Sequence, residues 1–439
     1  MSSETLEDHV TLQRGKTYKS KQLGEPGPVL LGLASIARDG GFRDDNLKTY
    51  GGDSPANLIL HPGDIYVSLK DVTQSGDLLG SVARLPETVK SGRLTQDTVK
   101  LNFKTNVRQS YIYWLLRTPQ YRSYCRSHAT GTTNLGLARE DFLSFEVPPL
   151  DAGRGRLVTL LDSLDDKIEL NRRMNRTLES MARALFKSWF VDFDPVHANA
   201  AGKPTLPPDL AVAFPAAFID SPLGDIPAGW EVVPLGNIAK FDKGLSYKGS
   251  GLVEDGGLPM VNLGCFAGRG VFNREKLKRY AGDHKSRHRV VPGDLVVANT
   301  DMTQNRVIIG SPALVPADED GDGYLFTHHV YAVRFKKGFE HWKQHVYFTL
   351  LKPEFRTIAE GFSTGTTVLS LPRDGLTSYQ VVLPPRDVLD RFEGMVQPML
   401  ARCVAMQRES RTLAALRDAL LPKLLGGEIA VANDGVEVA

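Results

Sequence analysis

The chain has 439 residues, too many for one ordinary domain, and its 41% hydrophobic and 24% charged residues are typical of a folded globular protein. No apolar run is long enough to span a membrane, and the N-terminal segment lacks the basic and apolar regions of a secretion signal. Cys125, Cys265 and Cys403 lie far apart, which argues against a structural zinc site and predicts a reducing, cytoplasmic location. A net charge of +2 permits nucleic-acid binding but does not require it.

A long internal repeat dominates the sequence. Residues 63–86 match 293–316 at an offset of 230 residues, with ten identities in 24 positions and no gap. Shorter matches continue at nearly the same offset, pairing Arg14–Lys19 with Lys243–Lys248, Tyr113–Arg122 with Tyr347–Arg356, and Thr130–Arg139 with Thr364–Arg373. A repeat of this length predicts two copies of one domain rather than the short units of a solenoid.

The order of segments follows from this repeat. Each copy closes on a proline pair and is followed by a helical region, and a Pro/Ala-rich linker separates the copies. The predicted segments are a first domain at 1–150, a helical region at 151–194, a linker at 195–228, a second domain at 229–385, a distal helical region at 386–428 and a flexible tail at 429–439. Because its prolines exclude a long helix, we predict that the linker is semi-extended and lies on the surface.

Each helical region carries one apolar seam. The first helix is predicted from about Arg156 to Phe190 and the second from about Val388 to Leu425, with seam residues at alternating steps of four and three. Neither seam can bury itself, so we predict that the two helices pair as an antiparallel coiled-coil rod. Asn171 and Asn175 lie in the first seam, where a buried Asn fixes the register. The repeat alignment pairs them with Met406 and Ser410.

The predicted fold class is therefore α/β (α+β), with two tandem domains separated by the two-helix rod and related by a pseudo-two-fold duplication. A rod of this length measures roughly 50 Å at about 1.5 Å per residue. Two-fold DNA readers use half-sites about 34–36 Å apart. The rod is thus of the right order to hold two reading domains over one duplex.

A polar loop follows the same predicted strand in both copies. We interpret its aspartates, Asp71 and Asp301, as turn caps. Its other polar side chains are of the types that contact base edges or phosphates. We predict DNA contacts for Lys70, Thr73, Gln74, Ser75, Thr303, Gln304, Asn305 and Arg306.

A Thr-Gly-Thr-Thr motif occurs at 130–133 and again at 364–367. Two interpretations stay open: hydroxyl groups that hold a phosphate beside a closely approaching backbone, or a turn inside the domain. The candidate contact residues of this segment are Thr132, Thr133, Asn134, Thr366 and Thr367.

Basic residues form further candidate contacts. The densest group lies in the second copy, where we favour phosphate contact over a merely solvated face for Lys278, Arg279, Lys285, Arg287 and Arg289. The first copy is poorer and offers Arg43 and Lys48. Near the start of each copy, a predicted strand-edge patch combines lysines with a tyrosine, namely Lys16, Tyr18 and Lys19, and Lys243, Tyr247 and Lys248.

The search for catalytic and metal sites produces no candidate. His341 and His345 have the spacing of paired ligands on a helix, but no third ligand accompanies them, so we interpret them as surface histidines. His328 and His329 lie in a strand-like run and are interpreted as structural. The sequence contains no nucleotide-binding glycine motif, no amino-methyltransferase motif and no nuclease cluster of carboxylates and lysine.

Three segments carry a resemblance to a known family. They are Leu164–Asn171 with Ala184–Pro195 (LDDKIELN and ALFKSWFVDFDP), Pro227–Glu231 (PAGWE) and Leu420–Ile429 (LLPKLLGGEI). In these segments, and over nearly its whole length, the chain resembles the specificity subunits of type I restriction–modification systems. The first domain lacks a counterpart of Trp230-Glu231, so we expect its edge strand to be truncated or packed differently.

The resemblance implies a DNA-binding role in phage defence. Each domain would be a target-recognition domain that reads one half of a bipartite, asymmetric sequence in double-stranded DNA. The helices would space the domains and dock two methyltransferase subunits, with restriction subunits joining outside. The chain would carry no cofactor and catalyse nothing, while its partners would use S-adenosylmethionine, ATP and Mg²⁺.

Two alternatives remain at this stage. One is a coiled-coil interaction scaffold without a DNA role, and the other is a self-contained methyltransferase or nuclease with an unrecognised site. The scaffold predicts no salt-sensitive DNA binding, whereas a DNA reader loses affinity steeply as salt rises. Turnover of DNA by the chain without partners would indicate the enzyme.

Overall fold

A computed structural model shows that the chain folds into two compact units. Unit 1 consists of Met1–Leu170 with Glu409–Ala439, and unit 2 of Asn171–Arg408. The structure describes residues 4–38, 40–44, 47–73, 75–132, 134–268, 270–302, 307–317, 321, 323–365 and 368–426. The tail at 429–439 lies outside the described residues, as do the predicted contact residues Gln74, Thr133, Thr303, Gln304, Asn305, Arg306, Thr366 and Thr367.

Unit 1 is built from short strands and helices followed by one long helix. The strands are β1 (Val10–Arg14), β2 (Val29–Leu31), β3 (Ile59–Leu60), β4 (Ile65–Ser68), β5 (Lys70–Asp71), β6 (Val82–Arg84), β7 (Gly92–Leu94), β8 (Thr98–Phe103), β9 (Ala129–Thr130) and β10 (Leu135–Leu137). The helices are α1 (Leu6–His9), α2 (Gln109–Leu115), α3 (Pro119–Ser127), α4 (Arg139–Leu143) and the start of α5 (Ala152–Phe190).

An antiparallel sheet of order β1-β8-β4-β6 is the framework of unit 1. Every residue of β4 is buried, as expected for an apolar strand covered on both faces. Because successive side chains of a strand point to opposite faces, Ile65 and Val67 belong to the core that contains α2, and Tyr66 belongs to a second core. That second core also contains Leu31 and Leu94, from the three-stranded sheet β2-β7-β3.

Unit 2 has a similar set of elements. Its strands are β11 (Phe218–Ile219), β12 (Ile226–Pro227), β13 (Glu231–Pro234), β14 (Ala239–Lys243), β15 (Leu252–Val253), β16 (Leu258–Val261), β17 (Lys278–Tyr280), β18 (Arg289–Val290), β19 (Leu295–Ala298), β20 (Thr300–Asp301), β21 (Pro312–Leu314), β22 (Tyr324–Phe326), β23 (Val330–Phe335), β24 (Leu369–Ser370) and β25 (Gln380–Leu383). Its helices, apart from α5, are α6 (Asp194–Ala200), α7 (Pro208–Ala211), α8 (Leu235–Ile238), α9 (Lys343–Leu350), α10 (Pro353–Phe362), α11 (Arg373–Thr377) and α12 (Arg386–Leu420); α13 (Lys423–Gly426) returns to unit 1.

The framework sheet of unit 2 has the order β14-β23-β19-β21. Leu295 and Val297 face the core that contains α9, and Val296 and Ala298 face a core shared with β22 of the five-stranded sheet β15-β17-β16-β22-β18. The framework sheet is thus covered on both faces, by helix on one side and by sheet on the other. The mixed α/β class predicted from the sequence is confirmed.

The long helices α5 and α12 pack together in both units, and their seam positions are buried. In unit 1, Leu157, Leu161 and Leu164 of α5 are buried, and the ion pair between Asp165 and Arg417 joins the two helices at 2.9 Å. In unit 2, α5 and α12 contribute together to one core, which includes Ala182, Phe186, Trp189, Phe392 and Val396. The start of α5 meets the end of α12 in unit 1 and the reverse holds in unit 2, so the pairing is antiparallel.

Two details of the helix predictions are corrected. The second helix ends at Leu420 rather than near Leu425, because Pro422 lacks the N–H that would continue it, and α13 follows after this break. The sulfur of Cys403 lies 3.8 Å from the main-chain oxygen of Asn175, where the repeat alignment predicts Ser410. In an antiparallel helix pair, a residue and its counterpart in the repeat lie opposite each other only near the middle of the helices. The repeat alignment therefore does not predict the register in which α5 and α12 pair.

The Pro/Ala-rich segment is not the semi-extended surface linker predicted from its composition. It forms α6, α7 and the strand pair β11–β12, and Val196, Phe214 and Ile226 are buried in the core of unit 2. Its prolines limit the helices to short pieces, but the apolar residues between them still bury their side chains. The domain boundaries themselves stay a prediction.

The expected difference between the two edge strands is confirmed. In unit 2, Trp230 is buried against Phe190 and Phe193, and β13 behind it pairs with β25 over four residues. In unit 1 the corresponding contact is a single bridge between Thr5 and Glu146. Within the described part of the chain, every helix is too short or too polar to cross a lipid bilayer.

Candidate nucleic-acid interface

Asp71 organises the polar loop of unit 1. Its side chain is buried; Oδ1 accepts hydrogen bonds from the N–H and the hydroxyl of Thr73, at 2.7 and 2.8 Å, and Oδ2 accepts from the N–H of Leu78 at 2.6 Å. One carboxylate therefore closes both ends of the loop, as the turn-cap interpretation predicts. The Thr73 hydroxyl is committed to this cap, while Ser75 is exposed and bonds to Asp77.

Asp301 has the same role in unit 2. Its buried Oδ2 accepts hydrogen bonds from the N–H groups of Ile308 and Ile309 at 2.7 and 3.0 Å. The predicted contact residues 303–306 of this loop lie outside the described residues. The hydrogen bond between Asp301 and Ile308 spans seven residues of the chain, as does the one between Asp71 and Leu78.

The glycine of each Thr-Gly-Thr-Thr motif has a positive φ and lies a few residues before a strand that pairs with the start of the capped loop. In unit 1, Gly131 has φ 96° between β9 and β10, and a Cβ there would lie 2.4 Å from Asn134 O. Gly365 has φ 105° in unit 2, where β24 pairs with β20 as β10 pairs with β5. The glycines are thus explained by hairpin turns. Thr132 and Asn134 are exposed next to the capped loop, so a phosphate contact remains a prediction for them.

A buried arginine, which the sequence did not indicate, shapes the lysine patch of unit 1. The guanidinium of Arg93 donates hydrogen bonds to the main-chain oxygens of Lys16, Thr17 and Asp53 at 3.1 to 3.3 Å and lies over the ring of Tyr50. The segment from Lys16 to Lys19 is exposed. Arg93 therefore fixes the backbone of the patch, so its lysines are presented from an ordered segment.

The lysine patch of unit 2 is joined to the basic segment. Lys278 Nζ lies 3.1 Å from the hydroxyl of Tyr247 and above its ring. Tyr247 packs edge-on against Tyr280, and Lys248 and Tyr280 line one shallow pocket of about 430 Å³. The structure therefore brings together three predicted contact residues, Tyr247, Lys248 and Lys278.

The rest of the basic segment does not form one cluster. Lys278 and Arg289 lie on β17 and β18, which are separated by two other strands, about 14 Å at the usual strand spacing. Arg279 donates to the main-chain oxygens of Gly256 and Gly257, so its guanidinium holds a neighbouring loop. Lys285 and Arg287 are exposed.

His288 lies between these exposed cations. Its ring contacts the N–H of Lys285 and Nε of Arg287 at 3.3 and 3.2 Å. Burial first, and then the positive charges of Arg287, Lys285 and His284, lower the pKa of His288. The ring is thus held in its neutral form as the support of a basic turn.

The remaining candidates occupy separate places. Lys70 pairs with Asp97 at 3.5 Å, while Arg43 and Lys48 are exposed on the segment between β2 and β3. Lys243 ends β14, where it pairs with Tyr331 of β23.

Three histidines differ from their interpretations, namely His345, His328 and His329. His345 is buried between Phe186, Phe190 and Trp342 rather than at the surface, and burial lowers its pKa to about 3. His328 and His329 lie in the turn between β22 and β23 rather than in a strand. Among the described residues, no three metal-ligating side chains converge.

Comparison with known proteins gives two sequence relatives and a related fold. No family model matches the chain. It is 26% identical over 336 residues to the type I restriction enzyme MjaIX specificity subunit of Methanocaldococcus jannaschii, covering 75% of this chain and 71% of that protein. It is 24% identical over 340 residues to the HindI specificity subunit of Haemophilus influenzae, covering 65% and 69%.

Among solved structures, the fold resembles that of the type I restriction–modification S subunit from M. genitalium. The TM-score is 0.56 at 14% identity, and the match covers 96% of this chain and 95% of that one.

Proposed function

Because the chain is homologous to the specificity subunits of type I restriction enzymes, we propose that it selects the DNA sequence on which such an enzyme acts. It determines the DNA site at which the enzyme acts and catalyses no reaction. One observation carries the proposal: each unit places a capped polar loop, a Thr-Gly hairpin and a lysine-rich segment around one framework sheet. The loop, hairpin and segment carry polar and basic side chains of the types that contact phosphates and base edges.

The proposal gives each copy of the repeat one half-site. The target-recognition domains are 1–150 and 229–385, and together they read a bipartite, asymmetric sequence. The common strand order of the two framework sheets supports an internal duplication. Shared residues such as Asp71 and Asp301 then build the scaffold, and residues that differ between the copies set the two sequences.

The helices α5 and α12 then act as the spacer between the recognition domains. Their antiparallel pairing supports a pseudo-two-fold arrangement, in which the helix length sets the separation of the half-sites. The same helices dock two methyltransferase subunits, with restriction subunits outside them. Those partners use S-adenosylmethionine, ATP and Mg²⁺, and this chain holds no cofactor.

The test is selection from random DNA. The full-length chain, co-purified with its methyltransferase subunits, is mixed with duplexes that carry a randomised region, and the bound DNA is sequenced at several salt concentrations. We expect two short conserved sequences separated by a spacer of constant length, with affinity falling steeply as salt rises. Enrichment of no sequence, or binding that does not respond to salt, would refute the proposal.

A further inference from the structure

A turn that precedes the same framework strand in each unit lies between two of the predicted contact segments. We call these the 95–98 turn (Thr95–Thr98) and the 327–330 turn (Thr327–Val330). Their equivalence follows from register, because β4 pairs Ser68 with Thr98 and β19 pairs Ala298 with Val330. Gln96 and Asp97 of unit 1 therefore correspond to His328 and His329 of unit 2.

On one side, each turn packs directly on the lysine patch of its unit. The N–H of Gly15 donates to Thr98 O at 3.1 Å, and a Cβ on Gly15 would lie 2.0 Å from Thr95 O. In unit 2, a Cβ on Gly244 would lie 2.4 Å from Thr327 O. Only glycine allows this approach, which explains why both patches contain it.

On the other side, each turn contacts the first residue of the capped loop. In unit 1, Asp97 forms an ion pair with Lys70 at 3.5 Å. In unit 2, His329 Nδ1 lies 3.1 Å from the hydroxyl of Thr300, which stands 230 residues after Lys70. The pair is thus Lys–Asp in one unit and Thr–His in the other, so both members have changed while their contact is kept.

The 327–330 turn also contains polar atoms that the described residues do not satisfy. Thr327 Oγ1 and His328 Nδ1 are buried without a hydrogen-bond partner there, whereas in unit 1 Thr95 Oγ1 and Thr98 Oγ1 donate to Leu31 O. Buried polar atoms without partners are rare and occur preferentially at functional sites. The ring centroids of His328 and His329 lie 3.9 Å apart with the planes tilted by 39°, and both residues are half-buried.

We propose that the two turns read bases: His328 and His329 in the half-site of unit 2, and Gln96 and Asp97 in the half-site of unit 1. This inference rests on the proposed function. The shared glycine lets each turn pack on its lysine patch, the capping aspartate closes the loop that the turn contacts, and the four side chains that differ distinguish the sequences. Their amide, carboxylate and imidazole groups donate or accept hydrogen bonds at base edges, and the contact with Lys70 or Thr300 orients them.

The experiment transplants the unit 1 residues into unit 2. The variant Thr300→Lys/His328→Gln/His329→Asp is co-purified with the methyltransferase subunits, and its bound DNA is compared with that of the parent. We expect the second half-site to change at one or two base pairs, by about ten- to a hundredfold in preference, and the first half-site to stay the same. The control His341→Asn, in the same unit but outside the turn, should keep both half-sites.

Each outcome decides between the two hypotheses. If the parent enriches no bipartite sequence, the proposed function is wrong and this inference fails with it. If the parent does so and the variant keeps the same second half-site, only this inference is wrong. An equal loss of affinity for every sequence would also refute it, because it would indicate phosphate contact. The base pairs of the second half-site that stay unchanged report whether unit 2 of the variant has folded, and the milder variant His329→Asn is judged by the same criterion.

Discussion

Arg417 of α12 lies 2.9 Å from Asp165 of α5, and this ion pair joins the two long helices within unit 1. Arg117, whose side chain is buried, approaches the same carboxylate at 3.8 Å. Asp165 therefore contacts two arginines at the place where the helix pair meets the domain, and Arg417 also pairs with Asp418 at 2.9 Å. Burial of the Arg417 side chain opposes its charge, but the hydrogen bonds and charges of Asp418 and Asp165 raise its pKa overall.

Replacing this carboxylate should destabilise unit 1. Asp165→Asn removes the carboxylate that the buried Arg117 approaches and one of the two carboxylates that Arg417 contacts, and we expect the free energy of unfolding to fall by about 1–3 kcal/mol. Urea unfolding followed by circular dichroism measures the change. The neighbouring Asp166 is exposed, so Asp166→Asn should stay within about 0.5 kcal/mol of the parent. Equal effects of the two substitutions would contradict the role of the ion pair.

The capped loop of unit 1 should be needed for one half-site only. Asp71→Asn turns one acceptor into a donor that faces an N–H, so the loop loses a hydrogen bond at one end. We expect selection of the first half-site to weaken by at least about tenfold, a cost of about 1.4 kcal/mol, while the second half-site is kept. Sequencing of DNA selected from a random pool measures both together.

The control for this loop is Asp53→Asn, an exposed carboxylate in the same unit. It should leave both half-sites unchanged. Loss of the two half-sites together in Asp71→Asn, with normal unfolding, would mean that the loops do not act separately.

The exposed cations next to His288 should contribute to salt dependence. If Lys285 and Arg287 contact phosphates, their double substitution by alanine should reduce the slope of log K against log salt by about 1.8. Sequence preference should not change. Fluorescence anisotropy over a salt series measures the slope, and Lys203→Ala, at an exposed position of the same unit, is the control. An unchanged slope would exclude phosphate contact by this turn.

Acid should weaken the core of unit 2 through His345. Burial, and then the charge of Lys352, lower its pKa to about 3, so between about pH 6.5 and 3 the unfolded chain binds a proton that the folded chain does not. Stability from this residue is therefore complete above pH 6.5 and falls as the pH drops, by on the order of 3 kcal/mol at pH 4.

His345→Phe should accordingly lose less stability than the parent between pH 7 and pH 4. Burial raises the pKa of Glu393 in the same unit to about 7, which gives the opposite slope, and comparison with the parent cancels that contribution. Denaturant unfolding at the two pH values measures the difference. A variant with the same pH dependence as the parent would show that His345 is not the group responsible.

Lengthening both helices should lengthen the DNA spacer. A seven-residue insertion after Asn175, matched by one at Cys403, keeps the seam in phase and adds about 10 Å, near three base pairs. We expect unchanged half-sites with a longer spacer in methylation mapped by sequencing. Insertion in α5 only breaks the pairing and should abolish recognition. A constant spacer in the double insertion would refute the role of the helices as a ruler.

Features that depend on local sequence pattern could be predicted before the fold was known. The step of four and three residues predicted both long helices, because a helix must bury one stripe of its surface. The match between 63–86 and 293–316 predicted two similar domains and located the loops that Asp71 and Asp301 cap.

Which polar side chains are already engaged in hydrogen bonds within the protein could be read only from the folded chain. Arg279 is committed to two main-chain oxygens, Arg93 holds a distant loop, and Thr300 meets His329, in each case through residues more than 20 positions away. A hydrogen bond between distant parts of the chain depends on how the strands pair, and the spacing of residues in the sequence does not predict that pairing. The same reason explains why the 95–98 and 327–330 turns became visible as one kind of site only after folding.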